Sequence, residues 1–424
     1  VQTAAQQDRL FRKDDDQTGL MKVTFLFSGL PHYLIALFNR LVEQHGVDVS
    51  LIVPRERGMS LGEGIRLGDA DRDYRFSIHY LEEFRGRLNK PYFKDLHTRL
   101  EEISPDILVM GWPFIVNFTF DKQARAICKQ KNISLVYREI PFMVAPKNQA
   151  IRYYRKNPIF NENLEVENPS GLRFYPWAIG LNQLRRKYYR LADATLIYAS
   201  HGFKIHESFG LGRDKIFLTY NSPDTEVIAR TRKKLMEQRS LAAHPKRILH
   251  VGRLVKWKRV DLLIEAVSQL CRDHKDLELH IVGEGPEEES LKAMVQQKGL
   301  ESSVNFLGSI YDPEELGREI MASSVYVLAG MGGLSINEAM AYGKPVICSV
   351  CDGTERDLVK NCENGLYFQE GNAADLAAKI GILLKDPYQG RRMGALSLSV
   401  IEQKVNLETV TQRFMDCFTY LQTN

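Results

Sequence analysis

Residues 330–345, GMGGLSINEAMAYGKP, set three glycines directly ahead of a short helical pattern with one glutamate in its first turn. Glycines let a ligand come close to the backbone, and free N–H groups at a helix start favour an anion such as phosphate. Part of the stretch has a purely local account. Ser335 and Glu338 have the S-x-x-E spacing of a capping box, Gly343 suits the left-handed turn that closes a helix, and Pro345 stops it. A capping box asks for neither Gly332 nor Gly333, so the glycine excess is what points to an anion seat.

Two further strand-to-helix turns have matching chemistry. In VGRLVKWKRVDLLI, Arg253, Lys256, Lys258 and Arg259 crowd the turn after a strand. Arginine offers a planar fork and lysine a compact charge, together suited to a departing diphosphate. IVGEGPEEESL has Gly283 and Gly285, but Glu288 stands where a dinucleotide fingerprint needs its third glycine, which disfavours an NAD site. Its three glutamates suit a helix's first turn, and the turn around Gly283 is a candidate wall for a nucleotide base.

These loops need a scaffold, and the rest of the chain describes one. Short apolar runs alternate with amphipathic helical patterns, which indicates an α/β protein with parallel sheets covered on both faces. KVTFLFS, VDVSLIVP, DILVMG, ISLVYRE, ATLIYAS and KIFLTYN form one series of strands. RILHVG, LELHIVG, VNFLG, VYVLAG, PVICS and GLYF form a second. The polar stretch between Asn221 and Lys246 separates them. The expected organisation is a polar extension over 1–20, a first Rossmann-like domain over 21–222, a second over 223–400, and a terminal helix over 401–424. Ligands of such sheets sit at the carboxyl ends of strands, so two domains would face a central cleft.

The run from Ile248 to Asp386 resembles the nucleotide-binding domain of retaining glycosyltransferases of GT-B fold, family 4, with VGRLVKWK, LHIVGEGPEEESL, VNFLG and GLSINEAMAYGKPVI in that family's order. The resemblance implies an enzyme that moves a sugar from a nucleotide diphosphate donor to an acceptor hydroxyl, with retention and without an obligatory metal or other cofactor. It implies that Arg253 and Lys258 hold the diphosphate, that amides around Gly333, Leu334 and Ser335 meet phosphate or sugar, and that Glu338 binds ribose hydroxyls. Polysaccharide or glycolipid synthesis is the expected setting. The last helix would cross back to the first domain.

The sequence departs from the family twice. The family usually has a second glutamate eight positions before Glu338, where this chain has Gly330. Relatives often carry a histidine after a strand of the first domain, whereas VYREIPF offers Arg138 and Glu139. Glu139 is therefore a catalytic candidate, set against the plainer reading of a carboxylate paired with a neighbouring arginine. In FSGLPHYL, Ser28, Gly29 and His32 follow a strand, and Gly29 is a candidate donor-seating position. Two other functions stay open: a nucleotide-sugar epimerase of the same architecture, and a non-catalytic sugar-nucleotide-binding relative.

A net charge of +4 over 424 residues does not indicate a nucleic-acid partner. Between Lys147 and Lys215, however, twelve Lys or Arg face six Asp or Glu. Within it, GLRFYPWAIGLNQLRRKYYRLAD sets aromatics beside basic residues. Residues 172–190 are thus a candidate membrane contact serving a lipid-linked acceptor, beside the reading of a helix with core aromatics and a wet basic face. Six scattered cysteines suggest a reducing, cytoplasmic setting, at the inner membrane face if that contact exists. Cys348 and Cys351 lack a second pair to complete a zinc site, and DADRD at 69–73 follows no apolar strand and is read as a solvated loop.

Overall fold

The computed structural model describes residues 19–56, 58, 74–139, 142–161, 164–238 and 244–423. The DADRD segment and residues 1–18 lie outside them. The first half contains β1 (Lys22–Leu26), β2 (Asp48–Pro54), β3 (Ser77–Leu81), a small antiparallel pair β4 (Glu83–Arg85) and β5 (Pro91–Phe93), then β6 (Ile107–Gly111), β7 (Ser134–Glu139), β8 (Ala194–Ile197) and β9 (Ile216–Leu218). Seven of these make a parallel sheet in the order 3-2-1-6-7-8-9. The second half contains β10 (Arg247–Val251), β11 (Glu278–Val282), β12 (Val304–Phe306), β13 (Val325–Leu328), β14 (Val346–Cys348) and β15 (Gly365–Tyr367), a parallel sheet in the order 12-11-10-13-14-15.

The fold is the expected pair of doubly wound α/β units. The central strands read as unbroken apolar runs because helices cover both faces of each sheet. Leu108 and Met110 of β6 lie in one cluster with Phe93, Leu100 and Tyr188. Val109, on the opposite face, lies in another with Phe25 and Phe38. β3 was not foreseen: SIHYL is buried only at its last residue, as suits an outer strand, so it lacks the apolar run that marks the inner ones.

In each sheet the chain changes winding direction beside its first strand, at β1 and β6 in one and at β10 and β13 in the other. A crevice opens at the carboxyl ends of such strand pairs. In the second sheet its walls are the loops after β10 and β13, the two richest in candidate chemistry.

Three helices tie the halves together. Helix Thr225–Glu237, capped by Asp224 accepting from the N–H groups of Glu226 and Val227, packs on helices Pro313–Ala322 and Ser335–Ala341. Helix Pro387–Lys404 lies on Ser335–Ala341, and the final helix Leu407–Thr423 packs against helix Ile35–His45, β8 and β9 of the first unit. Phe414 and Phe418 set their rings 6.5 and 6.4 Å from Phe25. One apolar cluster consequently runs from Phe25 through Phe418 to Leu249 and Tyr326.

Candidate functional site: the crevice beside β10 and β13

The loops after β10 and β11 are stitched backbone to backbone. The N–H of Gly252 donates to the Val282 carbonyl at 2.9 Å, and that of Leu254 to the Glu284 carbonyl at 2.9 Å. A Cβ on Gly283 would stand 2.0 Å from the Gly252 carbonyl oxygen, and one on Gly285 2.3 Å from that of Leu254. The close approach of two loops therefore accounts for both glycines.

Lys258 joins the basic turn to the glycine turn. Its side chain is buried, and its Nζ donates to the carbonyls of Met331, at 2.8 Å, and Gly332. The Trp257 carbonyl accepts from the Met331 N–H at 2.8 Å. Burial first, and Arg253 second, push the Lys258 ammonium down to about 8. Arg253 sets its guanidinium 5.9 Å from the Trp257 ring centre. With two carbonyls of the turn engaged by Lys258, the N–H groups of Gly332, Gly333 and Leu334 make no hydrogen bond among the described residues.

Gly330 has its own physical reason. A Cβ there would lie 2.2 Å from the Trp257 carbonyl oxygen and 2.6 Å from the Lys258 carbonyl carbon, so no side chain fits while the two turns stay in contact.

The capping box read from the sequence does not form. Ser335 is the first helical residue rather than the one before it, and its hydroxyl bonds that of Tyr326 at 2.7 Å. Glu338 is partly buried, and its carboxylate accepts no hydrogen bond among the described residues. Burial pushes its carboxyl up to about 7. The closing turn is as expected, with Gly343 at φ 73° and its N–H on the Met340 carbonyl.

The first domain separates two residues that the sequence pairs. Arg138 and Glu139 are neighbours on β7 and so project to opposite faces. Arg138 stacks on Tyr198, with its guanidinium 4.4 Å from the ring centre, and lies 5.9 Å from that of Phe414. Glu139 is buried on the other face, accepting from the hydroxyls of Tyr188, at 3.1 Å, and Tyr189. Burial raises its pKa, and it keeps company with a His206 held neutral by the same cause. Glu139 thus lies in the first domain's interior, hydrogen-bonded to tyrosines, with the buried Arg185 rather than Arg138 as the cation acting on it. Gly29 follows β1 with φ 154°, and His32 is exposed, edge-on to Tyr33 at 5.8 Å.

Sequence reading missed the loop after β14. A Cβ on Gly332 would meet the carboxylates of Asp352 and Glu355, both near enough to Lys258 to favour its charge, and Asp357 accepts from the N–H and hydroxyl of Ser200 at 2.7 and 2.6 Å, a bridge between the domains. The signal was present: CDGTERD directly follows a strand, as the other site loops do. The C-x-x-C cysteines of this region are unpaired thiols, Cys348 buried in β14 and Cys351 pushed up to about 12 by burial.

In segment 172–190, Phe174 and Ala178 pack inward, while Leu172 (88 % exposed), Tyr175 (39 %) and Ile179 (49 %) face outward, followed along the helix by exposed Lys187 and Arg190. Among the described residues no helix is long and apolar enough to cross a membrane.

Residues 231–396 match the family model "Glycosyl transferases group 1". An uncharacterized glycosyltransferase of Haemophilus influenzae is 32 % identical over 145 residues, 34 % of this chain and 40 % of that protein. The poly(ribitol-phosphate) alpha-N-acetylglucosaminyltransferase of Staphylococcus aureus is 27 % identical over 172 residues, 40 % of this chain and 34 % of that protein. The chain thus spans less than half the length of these relatives. Among solved structures, sucrose-phosphate synthase from Thermosynechococcus elongatus superposes with a TM-score of 0.68 at 18 % identity, over 95 % of this chain and 99 % of that one. Anabaena HepE in complex with UDP gives 0.63 at 17 %, over 94 % and 100 %. Over residues 231–396 the chain is similar to the glycosyl transferases group 1 family, and as a whole it has the two-domain GT-B fold of these solved structures.

Proposed function

We propose that the protein is a retaining glycosyltransferase that moves a sugar from a nucleotide diphosphate-sugar to an acceptor hydroxyl without needing a metal ion. The observation that carries this reading is the union of two loops at the winding switch of the second sheet. Lys258 grips the carbonyls of the glycine turn, so that turn's unbonded amides and two cations share one crevice. Unbonded amides and cations in a recessed site suit a diphosphate, and they matter most as negative charge grows on it when the sugar leaves. Glu338, close behind, is assigned the ribose hydroxyls, and closure of the two domains is assigned the exclusion of water. UDP in a structural neighbour and the polymer-modifying activity named for a relative support the reading of a nucleotide donor and a polysaccharide or glycolipid acceptor.

Arg253→Ala is the decisive substitution. Its side chain is only partly buried, so the fold should persist while kcat/KM for transfer falls by about 100-fold or more. Turnover within a few-fold of wild type, at unchanged thermal stability, overturns the assignment. Lys258→Ala is less clean, because it also unties the glycine turn. Incubation with donor alone separates the enzyme from an epimerase, which would return a rearranged sugar nucleotide.

A further inference from the structure

Groups of both charges pack against the glycine turn at 330–333. The Trp257 and Lys258 backbone lies against Gly330, and the Lys258 ammonium donates to the Met331 carbonyl. A Cβ placed on Gly332 would meet Asp352 Oδ2 at 2.9 Å and Glu355 Oε1 at 3.1 Å, two acids that also favour the charge of Lys258. The Asp352 carboxylate is already oriented: its Oδ1 accepts from the Thr354 N–H at 2.9 Å and from the Thr354 hydroxyl at 2.6 Å. Its Oδ2 accepts nothing among the described residues, and Asp352 is partly exposed. Behind it Glu355 is completely buried, with Oε2 accepting from the Gly353 N–H at 3.0 Å and Oε1 without a hydrogen-bond partner among the described residues. Burial, and then Asp352 beside it, push the Glu355 carboxyl up to about 7.

A carboxylate with open lone pairs beside an anion seat repels phosphate and attracts hydroxyl or amide donors. In a sugar nucleotide, the donor groups flanking the diphosphate are the ribose hydroxyls, assigned above to Glu338, and the hydroxyls of the sugar itself. We propose that Asp352, backed by Glu355, receives hydroxyl groups of the transferred sugar and so selects the donor's glycosyl part. The proposal rests on the donor reading above. It places the sugar contact beside Gly332 rather than at Gly330, where no side chain fits. It also restricts the sugar class: an uncharged hexose or N-acetylhexosamine suits the position, and a uronic acid does not.

The test is titration calorimetry of wild type, Asp352→Ala and Asp352→Asn with UDP, UDP-glucose, UDP-N-acetylglucosamine and UDP-glucuronic acid, with the matching GDP and ADP compounds where UDP fails. Asp352→Ala should hold or tighten the nucleoside diphosphate, because a repelling charge is gone, while weakening the preferred sugar nucleotide by about 10- to 100-fold. Asp352→Asn retains an acceptor for Thr354 and should lose less. Equal weakening of both ligand types in Asp352→Ala would make the residue a mere support of the turn and overturn the proposal, as would no weakening of either. Tighter binding of UDP-glucuronic acid than UDP-glucose by wild type would also overturn it. If wild type binds none of the nucleoside diphosphates, it is the donor reading that fails.

Discussion

At the scale of single residues, the crevice pairs two groups held away from their ordinary ionisation. Glu338 is pushed up to about 7 and Lys258 down to about 8, each chiefly by burial. If the carboxylate form of Glu338 binds ribose and the ammonium form of Lys258 binds diphosphate, both are in the binding state only between those values. Below about 7 Glu338 takes up a proton and affinity falls; above about 8 Lys258 gives one up and affinity falls again. Dissociation constants of a nucleoside diphosphate should trace a narrow optimum there, measurable by calorimetry over a unit to either side. Glu338→Gln should abolish the acidic limb and leave the alkaline one. A flat profile in the wild type would separate these groups from the ligand. Lys258 and Glu338 could be singled out from sequence because charges and glycines after apolar runs are visible there. What could not be seen is that Gly330 is imposed by the Trp257 carbonyl and that Ser335 is engaged by Tyr326, since both depend on contacts with residues remote in sequence.

At the scale of elements, the inner strands were legible because burial on both faces leaves unbroken apolar runs. Outer strand β3 and the β4–β5 pair were not, since partial exposure dilutes that signal. The loop after β14 was overlooked for another reason: its acids look like ordinary surface residues until Gly332 is found against them. Helix Phe174–Tyr189 has the core aromatics of the plainer reading, and its exposed face is the ground on which a membrane contact is proposed. Its inner face packs Phe174 and Ala178; Tyr175 and Ile179 face outward beside Leu172 of the preceding turn, and Lys187 and the following Arg190 are exposed at its far end. Such a stripe fits an anionic lipid surface, with the apolar end inserted and the basic end among the headgroups. The protein should sediment with phosphatidylcholine vesicles containing phosphatidylglycerol and much less with phosphatidylcholine alone. The Leu172→Glu, Ile179→Glu double variant should lose binding without loss of thermal stability, because both side chains are already exposed. Absence of wild-type sedimentation with anionic vesicles would end the membrane reading.

At the scale of the whole molecule, the domains are joined by more than a linker. Arg40, buried in the first domain, pairs with Glu226 and Glu408, so it holds both the helix that enters the second domain and the helix that returns. Ser200 and Asp357 meet across the gap. Phe414 and Phe418 fill the first domain's core from the far end of the chain. Phe418→Ala should cost about 3–5 kcal/mol, as for other large aromatic truncations in a core. The loss should fall on the first domain, so that scanning calorimetry resolves a separate, earlier transition for it. A uniform shift of all unfolding would show instead that the domains melt only together. The returning helix also has a consequence for biogenesis. A ribosome completes the N-terminal half well before residues 407–423 emerge, so that half waits, with Phe25 and its neighbours uncovered, until the second domain has been made. Nascent chains stalled between the two halves should therefore be the species that chaperones hold longest.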